Sequence, residues 1–235
     1  MAAPAPILAR TGGAAPVDAM LKRIGAGIRT LGLPAIEKIS EEQSGTAFQV
    51  LVATMLSAQT RDAVTLEAST RLFAKAPTPA AMLKLSTAQI EKLIYPVSFY
   101  RNKAVHVKET CATLLREFDG IVPDTMDALM TLPGVGRKTA NLVRIVAHRR
   151  PDSICVDTHV HRIANRFGWV RTRTPEQTER ALYDVTPKRW WSRINLYLVT
   201  WGQHVCRPIY PLCPRCPVID LCPRIGVGQV GRSSG

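Results

Sequence analysis

The sequence contains few acidic and few aromatic residues, and it lacks a long apolar run. Asp and Glu together number 18 against 31 Lys and Arg, so the 235-residue chain carries a formal net charge of +13. No apolar stretch approaches the roughly 20 residues that span a membrane, so no membrane partner is expected. The basic surplus favours a polyanionic partner, because each neutralised phosphate releases a counterion, although some basic proteins have no such partner.

The sequence also lacks the alternation of apolar and polar residues that predicts β-strands. Apolar residues instead recur at spacings of three and four, for example over 17–31 and 104–118, which is typical of helices. Ser86 with Gln89 has the spacing of a capping box and predicts a helix start. The predicted fold class is therefore all-α, with about ten helices.

The two ends of the chain carry no helical pattern. Residues 1–16 are rich in Ala, Pro and Gly, and both they and residues 224–235 are expected to be disordered. The N-terminus has no secretory pattern, so a cytoplasmic protein is expected. The six cysteines would then lie in a reducing compartment, where disulfides are a weak explanation for them.

Four of the cysteines lie close together near the C-terminus in a C-x6-C-x2-C-x5-C pattern, as Cys206, Cys213, Cys216 and Cys222. Four thiolates can enclose a zinc ion or an iron–sulfur cluster. The segment is rich in proline, so a metal centre would supply folding energy that it lacks. Zinc sites favour two short Cys pairs, and only one is present, which favours a cluster. Cys111 lies on an apolar helical stripe and is interpreted as core packing.

A glycine-rich turn between two predicted helices, residues 132–139, forms the second motif. Gly134 and Gly136 allow strained backbone and leave amides open to a phosphate at a helix N-terminus. The alternative is a tight turn that binds nothing. A nucleotide P-loop is discounted, because Arg137 interrupts the Gly-Lys-Thr sequence. The helix dipole disfavours the ammonium form of Lys138, which would suit a nucleophile, although a phosphate-binding lysine is the alternative.

The segment Val156–Asp157–Thr158–His159 precedes another predicted helix. Asp157 has the position of an N-cap, which needs no catalytic role. The same capping amides would keep a carboxylate ionised, so that it could stabilise a cationic sugar in a transition state. His159 and His161 would point about 200° apart on a helix, so a shared metal is not expected. Arg162 and Arg166 would lie on one face, either as a phosphate site or as a solvated basic face.

Together these motifs resemble endonuclease III, in the iron–sulfur branch of the helix–hairpin–helix DNA glycosylases. The resemblance covers roughly residues 17–223, and the segment 55–62 resembles the family's first DNA-contacting loop. It implies two helical lobes with the active site in the cleft between them, where a damaged nucleotide is flipped. The implied lobes are a six-helix barrel with the hairpin, residues 42–150, and a [4Fe-4S] cluster lobe, residues 17–41 with 151–223.

The resemblance also implies roles for individual residues. Lys138 would attack C1′ of the damaged nucleoside, form a Schiff base and lead to β-elimination, and Asp157 would support departure of the base. Gln59 would fill the vacated stack, and Phe99 or Tyr100 would form a wedge beside the unpaired base. The remaining implied DNA contacts are Pro133, Gly134, Val135, Gly136, Arg137, His159, Arg162, Arg207 and Arg215.

The lysine at position 138 bears on the subclass, because mismatch glycosylases that resemble this family typically lack it. The resemblance therefore predicts a bifunctional DNA glycosylase and AP lyase that removes oxidised pyrimidines, such as thymine glycol, from damaged double-stranded DNA as a monomer. Two alternatives stay open. One is a mismatch glycosylase of the same fold, and the other is a non-catalytic damage-binding protein with a structural metal.

Overall fold

The computed structural model describes residues 16–43 and 45–231. Within this part of the chain there is no β-strand, which confirms the all-α prediction. The chain divides into two compact units. The middle unit comprises Leu33–Cys155, and the terminal unit combines the segment that ends at Gly32 with the segment that begins at Val156. The parts of the predicted disordered ends at 1–15 and 232–235 lie outside the described residues.

The helices are numbered here in chain order. They are α1 (Val17–Gly27), α2 (Ala35–Glu37), α3 (Ala47–Ser57), α4 (Asp62–Lys75), α5 (Pro79–Leu83), α6 (Thr87–Ile94), α7 (Tyr100–Glu117), α8 (Met126–Met130), α9 (Arg137–Val146), α10 (Thr158–Arg166), α11 (Pro175–Val185) and α12 (Trp191–His204). Short 3-10 turns cover Ile28–Thr30, Lys188–Trp190 and Cys213–Arg215, and a π-helical turn covers Lys38–Glu42. None of the helices described combines the length and apolar character that crossing a membrane requires.

Helix α3 lies at the centre of the middle unit. Its positions 50–53 are all 0% exposed, so the helix is apolar around its whole circumference, as expected for a core helix. It packs against α4, α7 and α9. A capping box between Thr46 and Gln49 fixes its first turn. Helices α7 and α9, which carry the predicted wedge and the predicted nucleophile, are thus positioned by one buried element.

Helix α2 packs into the middle unit, although the predicted boundary assigned residues up to 41 to the other lobe. Ile36 and Ile39 are buried in the same core as α3. The backbone N–H of Ala35 donates to Oδ2 of Asp62 at 3.0 Å, which ties α2 to the start of α4. The boundary of the unit consequently lies before residue 33 rather than at residue 42.

The terminal unit is built around α12, which packs against α1 and α10. Gly25 permits the close approach of α1, because a Cβ at this position would lie 2.6 Å from the ring of Tyr197. The carboxylate of Asp18 accepts from Nε1 of Trp190 at 2.7 Å and from Arg189. Two segments that are far apart in sequence therefore share one core.

Residues 224–231, the last that the structure describes, make backbone hydrogen bonds to the terminal unit. The N–H of Ile225 donates to the carbonyl of Arg166 at 3.1 Å, and that of Gly231 donates to the carbonyl of Pro211 at 3.0 Å. The structure thus differs from the predicted disordered tail over residues 224–231, because these backbone groups find acceptors on the terminal unit.

Candidate active site and cluster loop

The glycine hairpin joins α8 to α9 and is held against α7. The hydroxyl of Thr110 donates to the carbonyl of Pro133 at 2.7 Å. Gly134 has a φ of +74°, and a Cβ there would lie 2.8 Å from the Cβ of His106. Both the left-handed backbone and this contact therefore require glycine. A Cβ at Gly136 would meet nothing within 4 Å, so the space beside this residue is open.

The start of α9 is exposed and has no side-chain cap. Gly136 is its N-cap residue, so no side chain at that position accepts from the first-turn amides. Arg137 and Lys138 follow and are exposed, whereas Val135 is only 6% exposed and can offer a ligand no more than its backbone. Helix-start amides beside exposed cations can bind an anion such as a phosphate.

Lys138, the predicted nucleophile, is the second residue of α9. Its side chain is exposed, and the thiol of the buried Cys155 lies 3.7 Å from its backbone carbonyl. The backbone is thus packed while the amine is accessible. A primary amine in this setting can attack an electrophilic carbon of a ligand docked at the hairpin.

Asp157, the predicted carboxylate, is the N-cap of α10 in the terminal unit. Its Oδ1 accepts from the N–H groups of His159 and Val160, each at 2.9 Å. Both capping hydrogen bonds are made by this one oxygen. The capping role predicted for Asp157 is confirmed, and it uses one carboxylate oxygen, which leaves the other for a ligand.

The two histidines of α10 have separate partners. Nδ1 of His159 lies 3.2 Å from Nη2 of Arg162, and a Cβ at Gly202 would lie 2.5 Å from this same nitrogen. Nδ1 of His161 instead lies 2.6 Å from the hydroxyl of Thr178 on α11. The rings therefore face different helices, and His159 packs closely on α12.

The two arginines of α10 point into the terminal unit rather than out to a phosphate. Nη2 of Arg162 donates to the carbonyl of Cys206 at 2.8 Å, and burial lowers the pKa of its guanidinium. Arg166 is 9% exposed and donates to the carbonyls of Arg207 at 2.6 Å and Pro208 at 2.7 Å. The predicted phosphate face on α10 is thus replaced by an internal one, because the backbone carbonyls of residues 206–208, beyond the end of α12, accept hydrogen bonds from both side chains.

The four clustered cysteines line one cavity, beside Arg166 and Phe167. They are free thiols: Cys206, Cys213, Cys216 and Cys222. Nη1 of Arg166 lies 3.5 Å from Sγ of Cys206. Burial raises the pKa of Cys222 to about 11 and shifts those of Cys213 and Cys216 in the same direction. A positive centre would be needed to hold these groups as thiolates at neutral pH.

The four thiols share one cavity but do not form a ready-made site for a single ion. In the described part of the chain, no three His, Cys, Asp or Glu side chains converge closely enough to hold one metal ion. Zinc with four thiolates would require every sulfur within about 2.3 Å of one point. Four thiolates in one cavity are also the ligand set of an iron–sulfur cluster, whose irons are separately ligated. Cys111 is fully buried in the core of the middle unit, as predicted.

Two loops, at residues 58–61 and 97–99, carry the predicted stack-filling and wedge residues. Gln59 and Phe99 both adopt left-handed backbone, with φ values of +55° and +56°. Phe99 is 64% exposed, whereas Tyr100 is half-buried and packs edge-on against Tyr95 with ring centroids 5.5 Å apart. The loops are joined by a hydrogen bond from the hydroxyl of Ser98 to the carbonyl of Gln59 at 2.7 Å. The structure therefore brings these two predicted contacts together.

Arg207 and Arg215 are exposed on the segment that carries the four cysteines. Their side chains can reach a polyanion, unlike those of Arg162 and Arg166. Sequence reasoning missed Lys103, a buried lysine of α7 that donates to backbone carbonyls beside Gln59. An isolated lysine on an amphipathic helix carries no local signal of burial.

Comparison with known proteins fits this geometry. Residues 52–188 match the HhH-GPD superfamily base excision DNA repair protein family. The chain is 44% identical over 186 residues to "Endonuclease III" of Thermotoga maritima, covering 78% of this chain and 87% of that protein. The chain belongs to the endonuclease III family. Membership of this family makes it a DNA glycosylase of base excision repair, as the sequence predicted.

Two further relatives illustrate the range of the family. The structure titled "Structure of a Trapped Endonuclease III-DNA Covalent Intermediate: Estranged-Adenine Complex" matches with a TM-score of 0.78 and 34% identity, covering 88% of this endonuclease III family chain and 93% of that one. "Endonuclease III homolog 2, chloroplastic" of Arabidopsis thaliana is 45% identical over 184 residues, covering 75% of this chain. The alignment spans 48% of the plant protein, so this chain corresponds to about half of that relative.

Proposed function

We propose that this endonuclease III family protein removes oxidised pyrimidines, such as thymine glycol, from damaged double-stranded DNA and then nicks the strand as an AP lyase. The observation that carries the proposal is Lys138, an exposed amine at the start of α9 beside the open amides of the hairpin. A glycosylase that only activates water would need no amine at this position, whereas a lyase needs one.

The proposed chemistry starts when Nζ of Lys138 attacks C1′ of the damaged nucleoside. A C1′–N bond to the lysine forms as the glycosidic bond breaks, and the base leaves with a proton. Opening of the sugar ring gives a protonated Schiff base. Loss of a proton from C2′ then breaks the C3′–O bond, which nicks the strand, and water hydrolyses the imine to regenerate the lysine.

Asp157 would support this sequence through its second oxygen. Oδ1 is held by two backbone amides, so the carboxylate is fixed in orientation by α10. An oriented carboxylate can stabilise the positive charge that develops on the sugar and can move protons during base departure and elimination.

The protein would bind DNA through the phosphates of its backbone, and two side chains would enter the base stack. The amides at the hairpin, with Arg137, Arg207 and Arg215, are suited to phosphates because they are exposed. The exposure of Phe99 favours it over Tyr100 as the wedge. Gln59 would fill the space left by the flipped nucleotide.

The four cysteines at 206, 213, 216 and 222 would hold a [4Fe-4S] cluster. When bound, the cluster would supply a cross-link that closes the proline-rich loop, and it would supply no base-removal chemistry. Arg166 would fix the loop from within through the carbonyls of Arg207 and Pro208. The loop would thereby hold Arg207 and Arg215 in place for phosphates.

Borohydride trapping tests the lyase proposal. The wild-type protein is incubated with a thymine-glycol duplex in borohydride, which reduces a Schiff base to a stable covalent adduct. We expect an adduct that Lys138→Ala does not form. Base release without an adduct would instead indicate a monofunctional glycosylase, and binding without base release would indicate a non-catalytic protein. The monomeric state and the cytoplasmic location stay predictions.

A further inference from the structure

A buried lysine of α7 reaches the end of α3 and the loop that follows it. Nζ of Lys103 donates to the carbonyl of Leu56 at 2.7 Å, to that of Ala58 at 2.6 Å and to the hydroxyl of Thr60 at 3.3 Å. Lys103 is only 8% exposed. A buried ammonium is costly unless its three donors are satisfied, and here three oxygens surround it.

The same atoms continue into the second loop. The hydroxyl of Thr60 accepts from the N–H of Ser98 at 3.2 Å, and the hydroxyl of Ser98 donates to the carbonyl of Gln59 at 2.7 Å. The main-chain N–H of residue 103 also donates to the carbonyl of Phe99 at 3.0 Å, as the first-turn bond of α7. Lys103, Thr60 and Ser98, here called the loop clamp, therefore touch both loops.

The loop clamp encloses two residues with unfavourable backbone. Gln59 and Phe99 both have a φ near +55°, a left-handed conformation that costs a non-glycine residue free energy. A residue keeps such a conformation when contacts with its neighbours hold the backbone in place. The contacts that do so here are those of the loop clamp, which fasten the backbone on each side of both residues.

A second lysine of α7 offers a comparison. Nζ of Lys108 donates to the carbonyl of Leu85 at 2.7 Å, and its side chain is half-buried. It satisfies a carbonyl near the end of α5 and touches neither loop. Bonding a carbonyl beyond a helix end is thus not peculiar to Lys103, but its contacts with the residues on both sides of Gln59, Ala58 and Thr60, distinguish it from Lys108.

We propose that Lys103 is a positioning residue that fixes the spacing of Gln59 and Phe99, so that the two side chains enter the duplex together when a nucleotide is flipped. This inference rests on the proposed function, in which these two residues take the place of the flipped nucleotide and wedge the stack. Burial lowers the pKa of Lys103 to about 8. The group is therefore charged at neutral pH, which suits its contacts with three oxygens.

The test separates DNA opening from chemistry. Lys103→Met, Ser98→Ala and the control Lys108→Met are compared with the wild type on two substrates. The first is a thymine-glycol duplex, from which base release is followed in a single turnover. The second is a single strand with an abasic site, which needs no flipping, and on which borohydride adduct formation is followed. A 2-aminopurine opposite the lesion reports unstacking.

We expect Lys103→Met to slow base release from the duplex by about 10²-fold, the usual penalty for a misplacement near 1 Å. The 2-aminopurine signal should fall with it, while adduct formation on the single strand stays within about twofold of wild type. Ser98→Ala removes one neutral hydrogen bond and should slow base release about fivefold. Lys108→Met should retain the wild-type rates on both substrates.

Three results would overturn the proposal. Equal losses on the duplex and the single strand would show that Lys103 serves the fold or the chemistry. Equal losses in Lys103→Met and Lys108→Met would show a general stability effect, which melting temperatures would reveal. If Lys103→Met does not fold, an unchanged rate in Ser98→Ala would refute the clamp. Absence of an adduct from the wild type on the single strand would instead refute the proposed lyase function.

Discussion

Replacing Gly134 with alanine perturbs the hairpin at a position where two costs combine. The residue has a φ of +74°, so any side chain is strained there, typically by about 1–2 kcal/mol. The new Cβ would also lie 2.8 Å from the Cβ of His106. Turning the ring of His106 cannot relieve this contact, because its Cβ is attached directly to the backbone of α7, so the contact adds to the backbone cost.

We therefore expect Gly134→Ala to lower the free energy of unfolding by about 2 kcal/mol. For a chain of this size that corresponds to a fall in the melting temperature of about 4–8 °C, measured by calorimetry or circular dichroism. Adding His106→Ala should restore little of the loss, because alanine keeps the Cβ that makes the 2.8 Å contact and the backbone strain stays.

Gly136→Ala is the matched control. The N-cap residue has a φ of −93°, and its Cβ would meet nothing within 4 Å. Its cost should therefore stay below about 1 kcal/mol. If DNA phosphates approach the open side of the hairpin, Gly136→Ala should nevertheless weaken DNA binding in a fluorescence anisotropy titration. Equal melting temperatures for the two variants would refute the reasoning about Gly134.

The remaining predictions concern the carboxylate, the cluster loop and the wedge. Asp157→Asn keeps a good capping residue, so the melting temperature should hold while single-turnover base release slows by about 10²–10⁴-fold; an unchanged rate would leave Asp157 as a helix cap only. Arg166→Met removes two charged hydrogen bonds and should destabilise the protein by about 2–4 kcal/mol and accelerate iron loss during dialysis, which retained iron would contradict. Cys213→Ser should yield protein with less iron than wild type by metal analysis, and a wild type that contains one zinc would refute the cluster. Phe99→Ala should slow base release from a duplex more than Tyr100→Ala does, because Phe99 is the exposed member of the pair.

The features that sequence predicted correctly are mostly local. Ser86 and Gln89 form the expected capping box, and Asp157 caps α10. Each of these contacts joins residues two or three positions apart, so chain geometry alone nearly determines it. The all-α fold follows similarly from apolar spacing, and the family follows from the order of three motifs.

Tertiary structure decided which charged side chains are available to a ligand. Arg162 and Arg166 follow Asp157 on a helix with a basic sequence. Both side chains nevertheless donate to backbone carbonyls that lie 41 to 44 positions further along the chain. Lys103 reaches a carbonyl 47 positions before it. Nothing in the neighbouring residues indicates such partners, because a polar group is satisfied by whatever folding brings near it.

By itself, then, the sequence determined the helices, their caps, the four clustered thiols and the family, since these depend on spacing along the chain. Only the tertiary structure decided that Phe99 is exposed while Tyr100 packs, that Val135 is buried inside the hairpin, and that the loops of Gln59 and Phe99 are fastened together. The physical reason is that burial and long-range hydrogen bonds are properties of the packed chain. In an isolated segment, each of these side chains would be exposed to solvent.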